Sequence, residues 1–166
     1  MGSRELLTVP NLILRKKCEP VKNPEDIREL VGDMKEFLIS HRSDDIAPIG
    51  LSAPQIGESL RVFVFYPNHL YREREGIEEL INPELVSAKD FKDLNESCLS
   101  LPGKSFIISR ATRVKVRGLT IEGVIRTYKA RDLFAQVLQH ELNHLDGILV
   151  DEVTKRGETK WGSINR

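Results

Sequence analysis

The sequence predicts an α+β fold in which mostly antiparallel strands surround a central helix that carries the pattern His-Glu-x-x-His. Two long segments repeat apolar residues at intervals of three and four, as helices do, and several segments between them have the composition or alternation of strands. The chain shows no internal repeat and no interdomain linker. Its 166 residues suit one domain, so we expect residues 1–166 to fold around a single core.

The first helix is predicted after Asn23-Pro24, because Asn is a favourable cap, Pro suits a first turn, and two acidic residues follow. We expect it to end within residues 40–43, and residues 13–21 before it to be an extended arm. One face of the helix should pack on the core through Ile27, Leu30, Val31, Met34, Phe37 and Leu38.

Two strands are expected at Arg61–Tyr66 and Ile77–Ser87, which are rich in β-branched and aromatic residues. Asn82-Pro83 should interrupt the second strand, because proline cannot donate to a strand ladder. The charged segment Pro67–Gly76 is expected to be a loop between them.

The later part of the chain predicts a hairpin followed by the second helix. Residues 113–117 alternate between charged and apolar side chains, as a half-buried strand does, and residues 121–128 should turn around Glu122-Gly123. Residues 132–144 contain neither Gly nor Pro and have an apolar face, so we predict a helix that ends at Asp146-Gly147.

Composition excludes several classes of protein. Basic and acidic residues number 25 each, so no net charge draws the chain to nucleic acid or to an anionic membrane. We find no nucleic-acid motif, no apolar run that spans a membrane and no signal peptide. We therefore expect a monomer in the bacterial cytoplasm or, if a transit segment has been removed, inside an organelle. Its two cysteines should be reduced thiols.

The predicted second helix carries a candidate metal site. His140 and His144 are four residues apart, only ~40° out of register on a helix, so both imidazoles can reach one metal ion. Glu141, beside the first of them, suits a carboxylate that takes a proton from water and later delivers it to a leaving nitrogen. The alternative is a surface helix with this pattern by chance, but the apolar residues around the histidines argue against it.

A catalytic metal site needs a third protein ligand. No histidine follows His144, and we interpret His41, at a helix end, and His69, in the charged loop, as solvated side chains. Cys98, flanked by small and apolar residues, is the better candidate, although a buried free cysteine is the common alternative. We expect Cys18, on the arm, to be such an inert cysteine.

Three segments in order resemble the peptide deformylase family. They are Gly50-Leu51-Ser52-Ala53-Pro54-Gln55, Ser97-Cys98-Leu99-Ser100 and Gln139-His140-Glu141-Leu142-Asn143-His144. The family patterns are Gly-x-Gly-Leu-Ala-Ala-x-Gln, Glu-Gly-Cys-x-Ser and Gln-His-Glu-x-x-His. The resemblance runs from about Ile13 to about Val150, and three ordered motifs make it specific.

The resemblance implies a metallohydrolase that removes the formyl group from an N-formyl peptide or a nascent chain and releases formate. Cys98, His140 and His144 would hold one divalent ion per chain, Fe²⁺ in the cell with Zn²⁺, Ni²⁺ or Co²⁺ as substitutes. Glu141 would be the general base and then the general acid. The ribosome exit region is a further expected partner.

The resemblance also assigns the substrate contacts. Gln55 and the backbone N–H of Leu99 would stabilise the oxyanion. The peptide would run as an extended strand beside Ile49-Gly50 and Ser97, through main-chain hydrogen bonds. The first side chain would enter a pocket on the helix face of Leu133, Gln136 and Val137.

Five positions depart from the family pattern: Pro48, Ser97, Ser105, Gln136 and Asn143. Pro48 should stiffen the lip of the first motif, and Ser97 should narrow the peptide groove. Gln136 stands where the family has an apolar residue, so we expect methionine to bind less well there. Two alternatives follow: a deformylase-like hydrolase with altered N-acyl or first-residue specificity, and a zinc peptidase, which normally takes its third ligand downstream.

Overall fold

The computed structural model describes residues 4–42, 48–67, 76–154 and 158–160. Residues 158–160 are described by their backbone alone. Its helices are α1 (Arg28–Ser40), α2 (Asp132–Leu145) and α3 (Val150–Val153), and its strands are β1 (Gly50–Ser52), β2 (Val62–Phe65), β3 (Glu78–Glu96), β4 (Lys104–Leu119), β5 (Ile125–Arg131) and β6 (Glu158–Lys160). The strands pair antiparallel in the order β1-β2-β3-β4-β5, and β6 pairs with β4. These elements confirm the predicted α+β class. No described helix is long and apolar enough to cross a membrane.

Strand β2 lies between the two long helices and is completely buried. Val62 and Val64 pack in one core cluster with the apolar stripe of α1, and Phe63 and Phe65 pack in another with α2. The predicted α1 stripe is buried throughout. Burial of an apolar side chain of this size contributes about 1.5–3 kcal/mol relative to exposure. The two faces of β2 therefore fix both helices relative to the sheet.

The predicted cap at Asn23 starts a 3-10 turn, Pro24–Ile27, and α1 itself begins only at Arg28. The arm before it also differs from the prediction. Asn23 accepts a hydrogen bond from the backbone N–H of Glu25, and α1 ends at Ser40. Residues 12–15, however, form a 3-10 turn, and an isolated bridge pairs Glu19 with Leu60. The prediction of an extended arm from residue 13 was wrong at its start, because Asn11 caps the turn with its side chain.

Strand β3 is longer than predicted and is not ended by Asn82-Pro83. The register with β4 shifts at this point, and Asn82 adopts a φ of 49°. The Asn82 side chain accepts from the Val21 N–H at 2.8 Å and donates to the Val21 carbonyl at 2.9 Å. A bulge anchored to the N-terminal arm therefore accommodates the proline, and the strand continues to Glu96.

The hairpin and the second helix lie where they were predicted. Residues 113–117 are the middle of a longer β4, and the turn to β5 contains Gly123 with a φ of 75°. Helix α2 extends one residue beyond the predicted range and stops before Gly147, whose φ is 73°. Of the predicted charged loop, residues 68–75, including His69, lie outside the described part of the chain.

A buried ion pair joins α1 to β3 and gives a pH-dependent prediction. Glu79 pairs with Lys35 and accepts from the Ile121 N–H at 3.0 Å. Burial alone would raise the pKa of Glu79, but the Lys35 and Ile121 hydrogen bonds lower it below its ordinary value of 4.5. The charged carboxylate therefore stabilises the fold above about pH 4.5, and this contribution is lost as the pH falls through the lowered pKa.

We expect Glu79→Gln to reduce the free energy of unfolding at pH 7 by about 1–3 kcal/mol, because it leaves Lys35 without its charged partner. The deficit should shrink when urea unfolding is repeated below pH 4. Glu122→Gln, at an exposed position in the β4–β5 turn, serves as the control. A deficit that is the same at both pH values would contradict the ion-pair explanation.

Candidate metal centre and active site

The three predicted ligands converge at one point although they come from different elements. Cys98 lies just after β3, and His140 and His144 lie on α2. The Cys98 Sγ is 3.3 Å from the His144 Nε2, which is 3.1 Å from the His140 Nε2. All three ligand atoms lie within 4.8 Å of one another. One thiol and two imidazoles at this spacing are a donor set that suits Zn²⁺ or Fe²⁺.

Helix α2 is held against the sheet by Gln139, which precedes the first histidine. Its amide accepts from the Ala111 N–H at 2.9 Å and donates to the Ala111 carbonyl at 2.8 Å. The buried amide thus satisfies a backbone position of β4 that faces the helix. This contact fixes the position of the two histidines relative to β4 and to β3, the strand that leads to Cys98.

Behind His140 lies a buried ion pair that the sequence analysis missed. Glu96 accepts two hydrogen bonds from Arg110, at 3.1 and 2.7 Å, and lies 2.8 Å from the His140 Nδ1. Burial would raise the pKa of Glu96, but His140 and Arg110 lower it to about 2. A carboxylate at Nδ1 orients the imidazole so that Nε2 faces the metal position. Glu96 lies two residues before Cys98 in the sequence. This spacing was the sequence feature that could have indicated the ion pair.

Asn143, one of the departures from the family pattern, joins this network. Its side-chain oxygen accepts from the Arg110 Nη1 at 2.5 Å. Asn143 carries no charge, but its amide oxygen still accepts a hydrogen bond from Arg110.

The acidities of Cys98 and His140 are strongly perturbed. Burial would raise the pKa of the Cys98 thiol, but the charges of His144 and His140 lower it well below its ordinary value. Burial would lower the pKa of His140, but Glu96 and Cys98 raise it well above its ordinary value. The sulfur is thus stabilised as a thiolate, which is the form that binds metal ions.

Glu141 places a carboxylate beside the ligand group. Only 3% of the residue is exposed, and its Oε2 has no hydrogen-bond partner among the described residues. Burial raises the pKa of Glu141, an effect that His140 and His144 partly offset. A Cβ at Gly50 would lie 2.7 Å from the Glu141 Oε1, so only glycine lets β1 approach this closely. A buried carboxylate with a free oxygen is suited to proton transfer.

Gln55 is aimed at the ligand group by Ser52. Residues 50–52 form β1 and residues 53–56 form a 3-10 helix. The Gln55 Oε1 accepts from both the N–H and the hydroxyl of Ser52, at 3.0 and 3.1 Å. Its Nε2 therefore points the other way, 3.9 Å from the Cys98 Sγ and 3.3 Å from the Ser100 Oγ. The hydroxyl of Ser52 thus helps to orient Gln55.

A cavity of about 520 Å³ is lined by Cys98 and His140 and by all of the residues predicted to contact the substrate. Gln136 reaches the carbonyl oxygen of Asn95 with its Nε2 at 2.9 Å, so its amide is tied to the backbone. Ser105 is buried in β4 and is not a lining residue. The lining includes Pro48, Ile49, Gly50, Gln55, Ser97, Cys98, Leu99, Leu133, Gln136, Val137, His140 and Glu141.

Two residues set aside in the sequence analysis lie apart from the cavity. Cys18 is a free, buried thiol in the core cluster that contains Phe63 and Phe65, and burial raises its pKa. His41 lies at the end of α1, and its ring stacks on Phe37 with the ring centroids 3.6 Å apart.

The antiparallel sheet, the helix that crosses it and the Cys-His-His group define a metal-dependent hydrolase. The family model described as polypeptide deformylase matches residues 3–159. The chain belongs to this family.

Named relatives agree with this assignment. A peptide deformylase from Dehalococcoides mccartyi is 40% identical over 152 residues, which cover 90% of this chain and 84% of the relative. One from Desulfitobacterium hafniense is 36% identical, covering 94% of this chain and 97% of the relative. The crystal structure of a peptide deformylase from Legionella pneumophila superposes with a TM-score of 0.82 at 33% identity, covering 93% of this chain and 88% of the other.

Proposed function

We propose that this chain removes the formyl group from the N-terminus of N-formyl peptides and nascent proteins, leaving a free amine and releasing formate. The observation that carries the proposal is one cavity lined by Cys98 and His140 of the donor group, the Glu141 carboxylate and the Gln55 amide, with the His144 donor atom within 4.8 Å of the other two donors. Membership of the polypeptide deformylase family supports it.

Cys98, His140 and His144 would hold the metal, and a divalent ion there supplies Lewis-acid activation of water and of the formyl oxygen. Glu141 accepts a proton from the attacking water and then donates it to the leaving nitrogen. We propose Fe²⁺ as the ion in the cell, with Zn²⁺, Ni²⁺ or Co²⁺ as possible replacements, since this donor set binds all four.

Gln55 and the backbone of Leu99 would stabilise negative charge on the formyl oxygen. Ser52 holds the Gln55 carbonyl group, so the Gln55 Nε2 is presented towards Cys98 before any substrate arrives. A donor that is already oriented costs no reorganisation when charge develops. We propose that the N–H of Leu99, which lines the same cavity, is the second donor.

The peptide would lie along the edge of β1. Ile49, Gly50 and Ser97 all line the cavity, and an extended chain beside them would form main-chain hydrogen bonds. The side chain of the first residue would enter between Leu133, Gln136 and Val137. We propose a single-domain monomer that meets its substrate near the ribosome exit, in a bacterial cytoplasm or an organelle.

The zinc peptidase alternative is disfavoured by the site. A thiolate from the end of β3 completes the donor set, and the oriented Gln55 amide would have no role in such an enzyme. Altered first-residue specificity is the second candidate, because Gln136 places a polar group in the cavity wall.

The test is release of formate from formyl-Met peptides by anaerobically purified protein whose metal content is measured on the same sample. We expect turnover that depends on the bound metal and is not found with the unformylated peptide. Cleavage of an internal peptide bond without formate release would instead identify a peptidase.

The same assay tests the role of Gln136. Because its amide is tied to the Asn95 carbonyl, we expect Gln136→Ile to raise kcat/KM for formyl-Met, relative to a formyl peptide with a polar first residue, by roughly fivefold or about 1 kcal/mol. An unchanged or lowered preference for methionine would show that Gln136 does not determine specificity.

A further inference from the structure

Away from the catalytic cavity, the exposed side of the sheet carries a cluster of cations that the proposed chemistry does not use. Lys89 of β3 pairs in register with Arg113 of β4, which pairs with Arg131 of β5. Two residues along, Lys115 pairs with Lys129. Alternate residues of a strand face the same side, so these five side chains share one surface, which we call the basic face.

Like charges directly opposite each other on neighbouring strands destabilise a sheet. Here three register pairs are cation on cation, in a chain whose net charge is zero. Arg113 forms an ion pair with Asp90. Within the described residues, the other four cations form no ion pair. The repulsion is therefore only partly offset inside the molecule, as expected of a surface that binds an anion.

The basic face is also shaped as a groove. A depression of about 220 Å³ is lined by all five cations and by Ser87, Val114 and Ala130. None of these residues lines the catalytic cavity. Neighbouring strands are ~4.8 Å apart and alternate residues ~7 Å apart, so the cations form a regular array that is wider than one phosphate group.

We propose that the basic face binds the phosphate backbone of RNA. A regular array of cations suits a ligand with many evenly spaced negative charges. The apolar residues that line the depression, Val114 and Ala130, are both buried, and the exposed Phe91 of β3 lies outside its lining, so the depression itself offers no apolar side chain for insertion into a membrane. The choice of RNA over an acidic protein rests on the proposed function, because nascent chains emerge from an RNA-rich ribosome.

The experiment uses the full chain with its metal and a fluorescein-labelled single-stranded RNA of about 20 nucleotides, a length that exceeds the groove. Affinity is measured by fluorescence anisotropy over a series of salt concentrations. The test variant is Lys89→Gln/Lys115→Gln/Lys129→Gln. The matched control, Lys16→Gln/Lys17→Gln/Lys22→Gln, removes the same charge from exposed positions elsewhere.

We expect the test variant to bind RNA about tenfold or more weakly and the slope of log K against log salt to fall by about 2, since each lost phosphate contact removes about 0.7. The control variant should bind within about twofold of the unmodified chain. Both variants should release formate from a free formyl peptide at the unmodified rate, which separates this proposal from the proposed function. Relief of repulsion should leave the Tm of the test variant unchanged or raised.

Three results would overturn the proposal: no RNA binding by the unmodified chain at low salt, equal losses in the two triple variants, or binding to phosphatidylglycerol vesicles in preference to RNA. Absence of formate release from the unmodified chain and from both variants, with RNA binding as expected, would instead contradict the proposed function.

Discussion

Replacing Glu141 with alanine should lower kcat by about 10²–10⁴-fold, the range that general acid–base catalysis contributes, while the bound metal stays in place. The carboxylate is not a proposed ligand, and its Oε2 has no partner among the described residues. Removing it therefore takes away the proton acceptor without breaking a network around the ligands. Single-turnover formate release, with metal content measured on the same sample, checks both parts.

A second measurement separates a catalytic role from a structural one. The Glu141 Oε2 is buried without a hydrogen-bond partner among the described residues, which destabilises the fold, so Glu141→Gln should have a Tm equal to or above that of the unmodified chain despite its loss of turnover. Glu122→Ala, at an exposed position, should leave both quantities unchanged. A kcat for Glu141→Ala close to normal would mean that another group accepts the proton.

Replacing Cys98 with alanine should release the metal, because two imidazoles alone cannot complete the donor set of a stable site. We expect bound metal to fall from about one ion per chain to a small fraction, and formate release to fall with it. Elemental analysis after gel filtration measures the first quantity.

Cys18→Ala is the matched control for this variant, since both cysteines are free and buried. It should lower the free energy of unfolding slightly, as loss of a buried side chain does, and keep the metal. Full metal occupancy in Cys98→Ala would overturn the assignment of Cys98 as a ligand.

The part of the site on α2 could be predicted from the sequence because its signal is local. The helix has a continuous apolar face, no Gly or Pro within it and a glycine after its end, and the structure places it within one residue of the prediction. His140 and His144 then lie on one face through helix geometry alone. Cys98 became the candidate third ligand because the other histidines were set aside. The family resemblance then assigned it to the same metal site as His140 and His144.

The ion pair behind His140 and the bulge in β3 could not be predicted, because their contacts join residues far apart in sequence. Glu96 and Arg110 look like ordinary strand charges until β3 and β4 pair and bury both of them behind His140. The bulge at Asn82 likewise depends on Val21, a residue 61 positions away. Strand pairing is less local than a helix turn, so strand limits were the weakest part of the prediction.

The position of β1 at the end of the strand order has a consequence for solubility. An uncovered strand edge that can accept a peptide can also pair with the same edge of a second molecule and begin aggregation. This edge is only three residues long, and Pro48, just before it, has no N–H to donate. It also borders a cavity rather than a protruding surface. Within the described residues, this edge therefore suits the single extended peptide that we propose better than the sheet of another folded molecule, which would find too few hydrogen bonds there.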